Sequence, residues 1–526
     1  MTASTTIDAR PPFATRAIAT LSVLTFALHI FVDWLSPYGF QRDEFLYMAM
    51  GRHLQLWRMD FPPFIAILSQ VQRFLLGDSI VAIRFAPAVA AGLLVLMAAL
   101  ISREMGGGRV SQLFAAIAVA TSPVFIRTGV LFQPVVFDEL WWTLALYALA
   151  RLGAESTRDD MLSTRPRWWI ALGIACGIGL LTKFSLLFFG AALVLALIVA
   201  PQRRVMLSRW PWIAAAIAIV LGSPSIVGQL RLGFPVVGQM RTLESSQLMH
   251  VSFKSFILGQ LYIGPAVLLA VAGTVYLLLA KSMRRFRTIG WTCAGAFVLL
   301  LVLHGKAYYI SPIYPALFAA GAVALERWSD ARAGAWKTAL RIAIIVLLVG
   351  NAIAALPLEL PIFSREYTAW FVTRSGLAPA ARTNQGLQLK LPQDYADMLG
   401  WPEEVEAVAH AYDSLPAEKR AQVVLGADNY GEAGALEFYG PRRGLPNVIS
   451  GAGSYWFFGP GEKPGTVLIV LGGEKADLDP FYGTVTEVRR VHNAWGVPEE
   501  MDVPIFVAEN PRSTLQKIWP KLAGQN

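Results

Sequence analysis

Charge and cysteine are both scarce in this chain of 526 residues. Only 15% of the residues are charged, whereas 55% are hydrophobic and the mean hydropathy is +0.49. Soluble domains carry about 25% charged residues, so this composition excludes a cytosolic enzyme, a disordered scaffold and a coiled coil. The two cysteines, Cys176 and Cys293, lie in apolar stretches, where a lone cysteine is usually a small core residue. They provide neither a disulfide framework nor a metal-binding spacing.

The chain also lacks internal repeats and a recognisable signal-cleavage site. The apolar stretch after Arg16 has no small-x-small pattern before Asp33, so we interpret it as a retained transmembrane helix. Similar apolar runs recur along the chain and predict about eleven transmembrane helices. The predicted spans cover residues 17–35, 80–101, 110–126, 134–150, 168–181, 184–200, 211–230, 256–280, 289–303, 308–325 and 341–357.

The net charge of +9 is divided unevenly along the chain. Residues 1–357 carry 30 Lys and Arg against 15 Asp and Glu, a net charge of +15, whereas residues 358–526 carry −6. Positive charge within a membrane domain indicates orientation, so no nucleic-acid partner is expected. The sequence therefore predicts a transmembrane domain, 1–357, followed by a soluble domain, 358–526.

Positive charge also predicts how the chain is oriented. With the N-terminus in the cytoplasm, the inner segments carry 19 Lys and Arg, and the longer outer connections carry 10. Because positively charged loops stay in the cytoplasm, the long first connection, 36–79, is expected outside. An odd number of spans then places residues 358–526 outside as well.

The soluble tail shows alternating strand and helix patterns. Strands are predicted at 422–426, 466–471, 484–489 and 505–508, and helices at 395–412 and 432–439. Such alternation is typical of a small α/β layer. The predicted fold class is therefore an all-α polytopic membrane protein with a C-terminal soluble α/β domain.

Ionisable side chains at membrane ends are costly, which makes them functional candidates. The predicted topology places one set of polar residues at the outer face: Arg42, Asp43, Glu44, Asp60, Arg127, Asp138, Lys183, His304, Lys306 and Tyr308. A carboxylate at this boundary can act as a general base on an acceptor hydroxyl. Lys or Arg can hold a phosphate group as it departs and gains charge. Since nucleotide sugars are absent outside the membrane, a lipid-linked sugar is the expected donor.

Structural uses of these residues stay open beside the functional ones. Lys183 and Arg127 are also explained as side chains that extend to the membrane surface, and Asp138 as a helix N-cap or first-turn acid. A transporter or flippase for a polar lipid or solute is the alternative function, although transporters often show two related halves. A third class, an anchored binding protein, needs fewer spans than the sequence predicts.

Several motifs together resemble a known family. They are Arg42-Asp43-Glu44-Phe45-Leu46-Tyr47-Met48, Asp60-Phe61-Pro62-Pro63, Leu181-Thr182-Lys183-Phe184-Ser185, Gly305-Lys306-Ala307-Tyr308-Tyr309 and, in the tail, Asn429-Tyr430-Gly431-Glu432-Ala433-Gly434-Ala435-Leu436. The chain resembles the bacterial branch of the protein O-mannosyltransferase-like, family 39 glycosyltransferases of GT-C architecture. That branch is related to the enzymes that add aminoarabinose or galacturonic acid to lipid A.

The resemblance implies a sugar donor carried on polyprenyl phosphate, with inversion at the anomeric carbon. It implies a lipid, glycan or protein acceptor, contact with membrane lipid, and a place in the bacterial inner membrane. Asp43 matches the acid that is assigned a base or substrate-orienting role in the family, and Glu44 completes the pair. These two residues are therefore the predicted catalytic pair.

The resemblance also implies substrate-binding residues and shows two departures. Asp138 resembles the second acid of the family, Asp60 the acid before the Pro-Pro pair, and Lys306 the basic residue near the donor phosphate. Some relatives carry Lys where this chain has Phe61 and Arg where it has Leu46. Phosphate contacts then fall to Lys183, Lys306, Arg42 or Arg127. No cofactor is required by the resemblance, and a divalent metal on the acids, with His304 as a further ligand, stays open.

Overall fold

The computed structural model describes residues 10–332 and 334–522. These residues divide into two compact units. The first, the helical unit, combines the chain up to Trp34 with Arg84–Val227 and Val237–Leu360. The second, the sheet unit, combines Leu35–Ile83, Gly228–Val236 and the chain from Pro361 onward. The long first connection and the tail therefore belong to the same unit.

The segments of the helical unit form apolar helices joined by short turns. The α-helices are Thr15–Leu35, Phe85–Glu104, Arg109–Thr121, Pro123–Thr128, Pro134–Ala154, Pro166–Thr182, Leu186–Val199, Trp210–Arg231, Pro235–Ser246, Phe253–Gly259, Val267–Leu279, Arg287–Val302, Tyr314–Asp330 and Trp336–Glu359. The 3-10 helices are Arg204–Leu207, Leu248–His250, Gln260–Ala266, Lys281–Phe286 and Ala307–Ile313. Trp210–Arg231 and Pro235–Ser246 extend beyond the boundary into the sheet unit.

A helix occupies each of the eleven predicted spans, but not all of these helices have the length of a span. Among the described residues, 7 helices are long and apolar enough to cross a membrane. They are Thr15–Leu35, Phe85–Glu104, Trp210–Arg231, Phe253–Leu279, Lys281–Val302, Ala307–Asp330 and Trp336–Glu359. Arg109–Thr121, Pro166–Thr182 and Leu186–Val199 are shorter, at 13, 17 and 14 residues. The mostly helical membrane architecture is confirmed, and the count of eleven stays a prediction.

A close helix crossing stabilises the interior of the helical unit. Helix Val267–Leu279 packs against Tyr314–Asp330, and both contribute a glycine to the crossing. A Cβ atom on Gly273 would collide with the carbonyl oxygen of Leu317, and a Cβ on Gly321 would collide with the facing backbone in turn. Small residues permit such close crossings between membrane helices, which explains why no larger side chain stands at these two positions.

The sheet unit contains one five-stranded sheet with helices around it. Its strands are β1 (Val423–Ala427), β2 (Val448–Ser450), β3 (Val467–Leu471), β4 (Tyr482–His492) and β5 (Asp502–Pro511), in the order β2-β1-β3-β5-β4. Strands β1, β2 and β3 are parallel, whereas β5 runs antiparallel to β3 and β4. Every residue of β1 and β3 is buried, as expected for parallel strands covered on both faces.

The helices of the sheet unit come from the first connection and from the tail. The α-helices are Arg42–Arg52, Phe64–Leu76, Ile80–Ile83, Arg365–Arg374, Gln393–Ala396, Trp401–Asp413, Ala417–Arg420, Tyr430–Tyr439, Ser454–Phe458, Lys475–Leu478 and Leu515–Ile518. The 3-10 helices are Ala378–Ala381, Gly440–Arg443, Pro498–Glu500 and Trp519–Leu522. The predicted α/β class of the tail is therefore confirmed.

The two sequence segments of the sheet unit pack through a pair of helices. Helix Arg42–Arg52 lies against helix Tyr430–Tyr439. Gly434 faces Phe45 so closely that a Cβ atom there would collide with the Phe45 side chain. The Phe45 ring in turn lies edge-on to the Trp401 ring, 5.8 Å away. This packing fixes the helix that begins with the predicted catalytic residues.

Candidate functional site

The predicted site residues are divided between the two units. Arg42, Asp43, Glu44 and Asp60 lie in the sheet unit. The helical unit contains the other six, Arg127, Asp138, Lys183, His304, Lys306 and Tyr308. Each set forms contacts of its own within its unit.

The acidic pair of the sheet unit begins helix Arg42–Arg52, and its two members have different contacts. The backbone N–H of Asp43 donates to Gln41 Oε1 at 2.8 Å. The Glu44 carboxylate accepts from the backbone N–H of Gln41 at 2.7 Å and is fully buried. Reciprocal bonds of this kind form a capping box, which stabilises the start of a helix. Glu44 thus has a structural use, and its catalytic role stays a prediction.

The Asp43 carboxylate is held by a tyrosine from the tail. Tyr430 donates its hydroxyl to Asp43 Oδ1 at 2.8 Å. The Arg42 guanidinium lies over the Tyr430 ring, 4.8 Å from its centroid, and donates to Glu499 at 2.9 Å. Burial raises the pKa of Asp43, and the nearby Arg42 charge and the Tyr430 hydroxyl oppose this rise. A carboxylate with a raised pKa is a stronger proton acceptor near neutral pH.

Tyr430 is a site residue that is not among those predicted from the sequence, although it lies in one of the motifs that carry the family resemblance. Asn429 caps helix Tyr430–Tyr439 by accepting from the backbone N–H groups of Gly431 and Glu432 at 2.8 and 3.0 Å. The Glu432 carboxylate accepts from the backbone N–H of Asn429 at 3.1 Å and completes a capping box. The motif that begins at Asn429 therefore fixes the helix start from which Tyr430 reaches Asp43.

Buried acids surround this capping motif. Asn429 also donates its side-chain amide to Glu500 Oε1 at 2.9 Å. Burial raises the pKa of Glu500 to about 7. Burial and the neighbouring acids raise the pKa values of Glu404 and Glu432 well above the usual range of a glutamate. Buried carboxyl groups whose charges repel each other take up protons, so this part of the sheet unit is sensitive to pH.

Asp60 occupies a buried position of its own in the sheet unit. Its side chain is 2% exposed, and Oδ2 accepts from the hydroxyl of Ser454 at 2.8 Å. Its backbone carbonyl accepts from the Gln229 amide at 2.6 Å. Asp60 therefore connects the Pro-Pro segment to helix Ser454–Phe458, a structural use beside its predicted substrate-binding role.

Two adjacent acids of helix Pro134–Ala154 are buried in the helical unit. Asp138 accepts from the Ser185 hydroxyl at 2.6 Å. Glu139 accepts from the hydroxyls of Ser311 and Thr128 at 2.6 and 2.8 Å and is fully buried. Glu139 was not among the predicted site residues, although it stands next to one. The helix begins at Pro134 and its N-cap is Gln133, so the alternative of Asp138 as an N-cap or first-turn acid is wrong.

Lys183 and Tyr308 are brought together in the helical unit. Lys183 follows the last residue of helix Pro166–Thr182. Its ammonium nitrogen lies 4.6 Å from the centroid of the Tyr309 ring and 5.7 Å from that of Tyr308. The charge of Lys183 also acts on the Asp138 carboxylate. A cation, a carboxylate and two phenol rings thus form one cluster, named here the Lys183 cluster.

The other predicted cations of the helical unit have different partners. The Lys306 ammonium donates to Gln247 Oε1 at 2.6 Å, and Arg127 donates to the carbonyl oxygen of Leu358 at 2.7 Å. The exposed His304 has a φ of 53° and lies 5.2 Å from the ring of Phe253. In the part of the chain that the structure describes, no three His, Cys, Asp or Glu side chains gather as metal ligands.

Comparison with known proteins identifies the type of fold. The structure is similar to that of ArnT from Cupriavidus metallidurans bound to undecaprenyl phosphate, with a TM-score of 0.59 and 16% identity over 94% of this chain and 98% of that one. It is also similar to the Archaeoglobus fulgidus oligosaccharyltransferase tethered with an acceptor peptide, with a TM-score of 0.53 and 10% identity over 82% of this chain and 63% of that one. The chain therefore has the GT-C fold. Together with the long apolar helices among the described residues, this fold makes it a multi-pass membrane protein.

Sequence comparison gives partial matches to one family model and to curated transferases. Residues 60–227 match the family described as dolichyl-phosphate-mannose-protein mannosyltransferase. The chain is 30% identical over 159 residues to undecaprenyl phosphate-alpha-4-amino-4-deoxy-L-arabinose arabinosyl transferase 2 of Pseudomonas fluorescens. The aligned residues make up 29% of this chain and 25% of that protein. It is 27% identical over 223 residues to the corresponding transferase of Pectobacterium atrosepticum, covering 39% of each. The resemblance drawn from the motifs is confirmed, and these matches span about a quarter to two fifths of the relatives' length.

Proposed function

We propose that this protein is a glycosyltransferase that moves a sugar from a polyprenyl-phosphate-linked donor to a lipid, glycan or protein acceptor. The observation that carries the proposal is the match of residues 60–227 to the mannosyltransferase family, because that segment contains the buried Asp138 and the cation Lys183. The relatives' names specify a sugar carried on undecaprenyl phosphate. A cation beside a carboxylate is suited to bind the phosphate group of such a donor.

The reaction that we propose is a single displacement with inversion. The acceptor hydroxyl attacks the anomeric carbon of the sugar, its proton passes to the Asp43 carboxylate, and the bond from that carbon to the phosphate oxygen breaks. Polyprenyl phosphate leaves with the electron pair of that bond. The contact of Asp43 with Tyr430 supports this role for Asp43, because a catalytic base must be held in a fixed orientation.

The helical unit supplies the groups that we assign to the donor. Lys183 carries a positive charge on a side chain held by two tyrosine rings, so it is suited to a phosphate that gains charge as the bond breaks. Asp138 lies within the electrostatic reach of this cation and is suited to bind a sugar hydroxyl. Lys306 is a second phosphate contact in this proposal, as its motif implies.

We further propose that the N-terminus is cytoplasmic and that residues 358–526 lie outside the bacterial inner membrane. The bias of Lys and Arg toward the inner segments supports this orientation. A periplasm-dependent reporter enzyme fused after Asn526 tests it, because the reporter is active only if the tail crosses the membrane. Activity of a cytoplasm-dependent reporter at the same position would contradict the proposal.

Transfer is tested with the full-length protein reconstituted in vesicles that contain synthetic polyprenyl-phosphate sugars. We expect release of polyprenyl phosphate that depends on an extract of envelope glycolipids, glycans and proteins as acceptor. Mass spectrometry of the same envelope fractions, from cells with and without the gene, identifies the acceptor. Recovery of an intact donor that has only moved to the other leaflet would show a flippase and contradict the proposal.

A further inference from the structure

A cavity in the sheet unit lies apart from the contacts of Asp43. Its volume is about 290 Å³. It is formed where the end of helix Arg42–Arg52 meets the C-terminal half of helix Tyr430–Tyr439 and helix Ser454–Phe458. The volume is close to the lower limit of small-molecule sites, roughly 300 Å³. The cavity is therefore suited to a ligand of about one ring.

A fixed carboxylate forms part of the cavity wall. Glu437 accepts from the Tyr455 hydroxyl at 2.8 Å and lies 3.4 Å from His53 Nε2. The Arg52 guanidinium donates to the backbone carbonyl of Glu437 at 2.7 Å and lies 3.8 Å from its carboxylate. Burial opposes ionisation of Glu437, but the hydrogen bonds and charges of His53, Tyr455 and Arg52 prevail and lower its pKa. The wall thus presents a charged acceptor beside cationic and neutral donors.

Aromatic rings form another part of the wall. The His53 ring is stacked on the Phe458 ring, with centroids 4.3 Å apart and an angle of 15° between the planes. Tyr455 meets the same Phe458 ring edge-on at 5.1 Å. Leu445 and Ile449 are among the apolar residues of the lining. The cavity therefore combines an apolar and aromatic surface with hydrogen-bonding groups of both kinds.

We propose that this cavity is a binding site for one sugar ring of a saccharide. A sugar ring has apolar C–H faces, which pack on aromatic rings, and hydroxyls that donate and accept hydrogen bonds at its edge. Arg52, His53 and Asn447 are suited to donate to these hydroxyls, and Glu437 is suited to accept from them. A free phosphate fits less well, because the ionised Glu437 in the lining repels a second anion.

The position of the cavity relates it to the acceptor. Asp43 is the second residue of helix Arg42–Arg52, and Arg52 is the last. At a rise of about 1.5 Å per residue, their backbones lie about 14 Å apart. A glycan that occupies the cavity with one ring thus reaches along this helix toward Asp43. This assignment to the acceptor rests on the proposed function, whereas saccharide binding itself does not require transfer.

Binding is measured without a donor by saturation-transfer NMR on the full-length protein in nanodiscs. The probes are the methyl glycosides of glucose, galactose, mannose and N-acetylglucosamine, with inorganic phosphate as a competitor. We expect at least one glycoside to bind, and Phe458→Ala to weaken this binding about tenfold, the effect of one lost aromatic contact. Phe457→Ala is the matched control, since Phe457 is the adjacent residue of the same helix and meets the Trp456 ring edge-on instead.

A second variant keeps the test decisive if Phe458→Ala does not fold. Asn447→Ala changes an exposed side chain at the cavity, and we expect it to weaken glycoside binding several-fold. Absence of binding by the wild-type protein, or binding that neither variant weakens, would overturn the proposal, as would full displacement by phosphate. Intact glycoside binding in a protein that shows no transfer would instead contradict the proposed function and leave the saccharide site in place.

Discussion

Replacing Tyr430 by phenylalanine removes one hydroxyl and keeps the ring that lies below Arg42. The lost hydrogen bond joins a neutral donor to the Asp43 carboxylate over 2.8 Å. Hydrogen bonds to charged groups contribute about 1.5–3 kcal/mol. Since about 1.4 kcal/mol changes a rate or equilibrium constant tenfold, this contribution corresponds to a change of about 10–100-fold. We therefore expect Tyr430→Phe to lower kcat by roughly this factor near neutral pH.

The pH dependence separates this role from a purely structural one. The Tyr430 hydroxyl opposes the rise in the pKa of Asp43, so its removal raises that pKa further. The base is then protonated up to a higher pH, and the acidic limb of the kcat/KM profile shifts to higher pH. At high pH, where Asp43 is ionised in both proteins, the difference in rate should become smaller.

The assay follows release of polyprenyl phosphate across a pH series for both proteins, normalised to the amount of folded enzyme. Tyr412→Phe is the matched control, since Tyr412 belongs to the same unit but lies on helix Trp401–Asp413. Its profile should match that of the wild type. An unchanged acidic limb in Tyr430→Phe, with kcat lowered equally at every pH, would refute the assignment of Asp43 as a base held by Tyr430.

Three further predictions concern Asp43, Lys306 and Glu500. Asp43→Asn keeps the size of the side chain and removes the proton acceptor, so single-turnover rates should fall roughly 10²–10⁴-fold with little change in donor binding; a fully active variant would assign the base to another residue. Lys306→Ala removes a charge-assisted phosphate contact and should raise the KM for the donor by tenfold or more, with Lys281→Ala, a lysine in a predicted inner segment, as the control; unchanged donor kinetics would contradict this role. The pKa of Glu500 is raised to about 7 by burial, so its contribution to stability is complete below its unfolded pKa and is lost as pH rises through about 7. The midpoint of thermal unfolding should therefore fall as pH rises from about 4.5 to about 7 in the wild type, and fall less in Glu500→Gln; an equal fall in both proteins would exclude Glu500 as the cause.

The membrane helices could be predicted from the sequence because each needs a long apolar run. Local signals also predicted four of the five strands of the sheet unit. They failed where a signal was short or interrupted. Strand β2 has only three residues, and the predicted helix 395–412 is interrupted before Trp401, where Gly400 adopts a φ of 104°.

The candidate site could be predicted only as a set of residue types. The contact between Tyr430 and Asp43 joins positions 387 residues apart, and no local pattern specifies such a pair. Glu139 was missed because its role depends on hydroxyls from Ser311 and Thr128, which follow from tertiary packing. The resemblance located Asp43 and Lys183, whereas their partners required the structure.

The shared unit of the first connection and the tail has a consequence for biosynthesis. A ribosome that adds about 5–20 residues per second completes Tyr430 roughly 20–80 seconds after Asp43. During this interval helix Tyr430–Tyr439 does not yet exist, so the apolar side chain of Phe45 is left uncovered. Premature termination between the end of the last membrane helix, Glu359, and Tyr430 would leave the membrane helices made and the carboxylate of Asp43 without its tyrosine. Asp43, which is made early, therefore acquires its complete surroundings only when the last third of the chain has been synthesised.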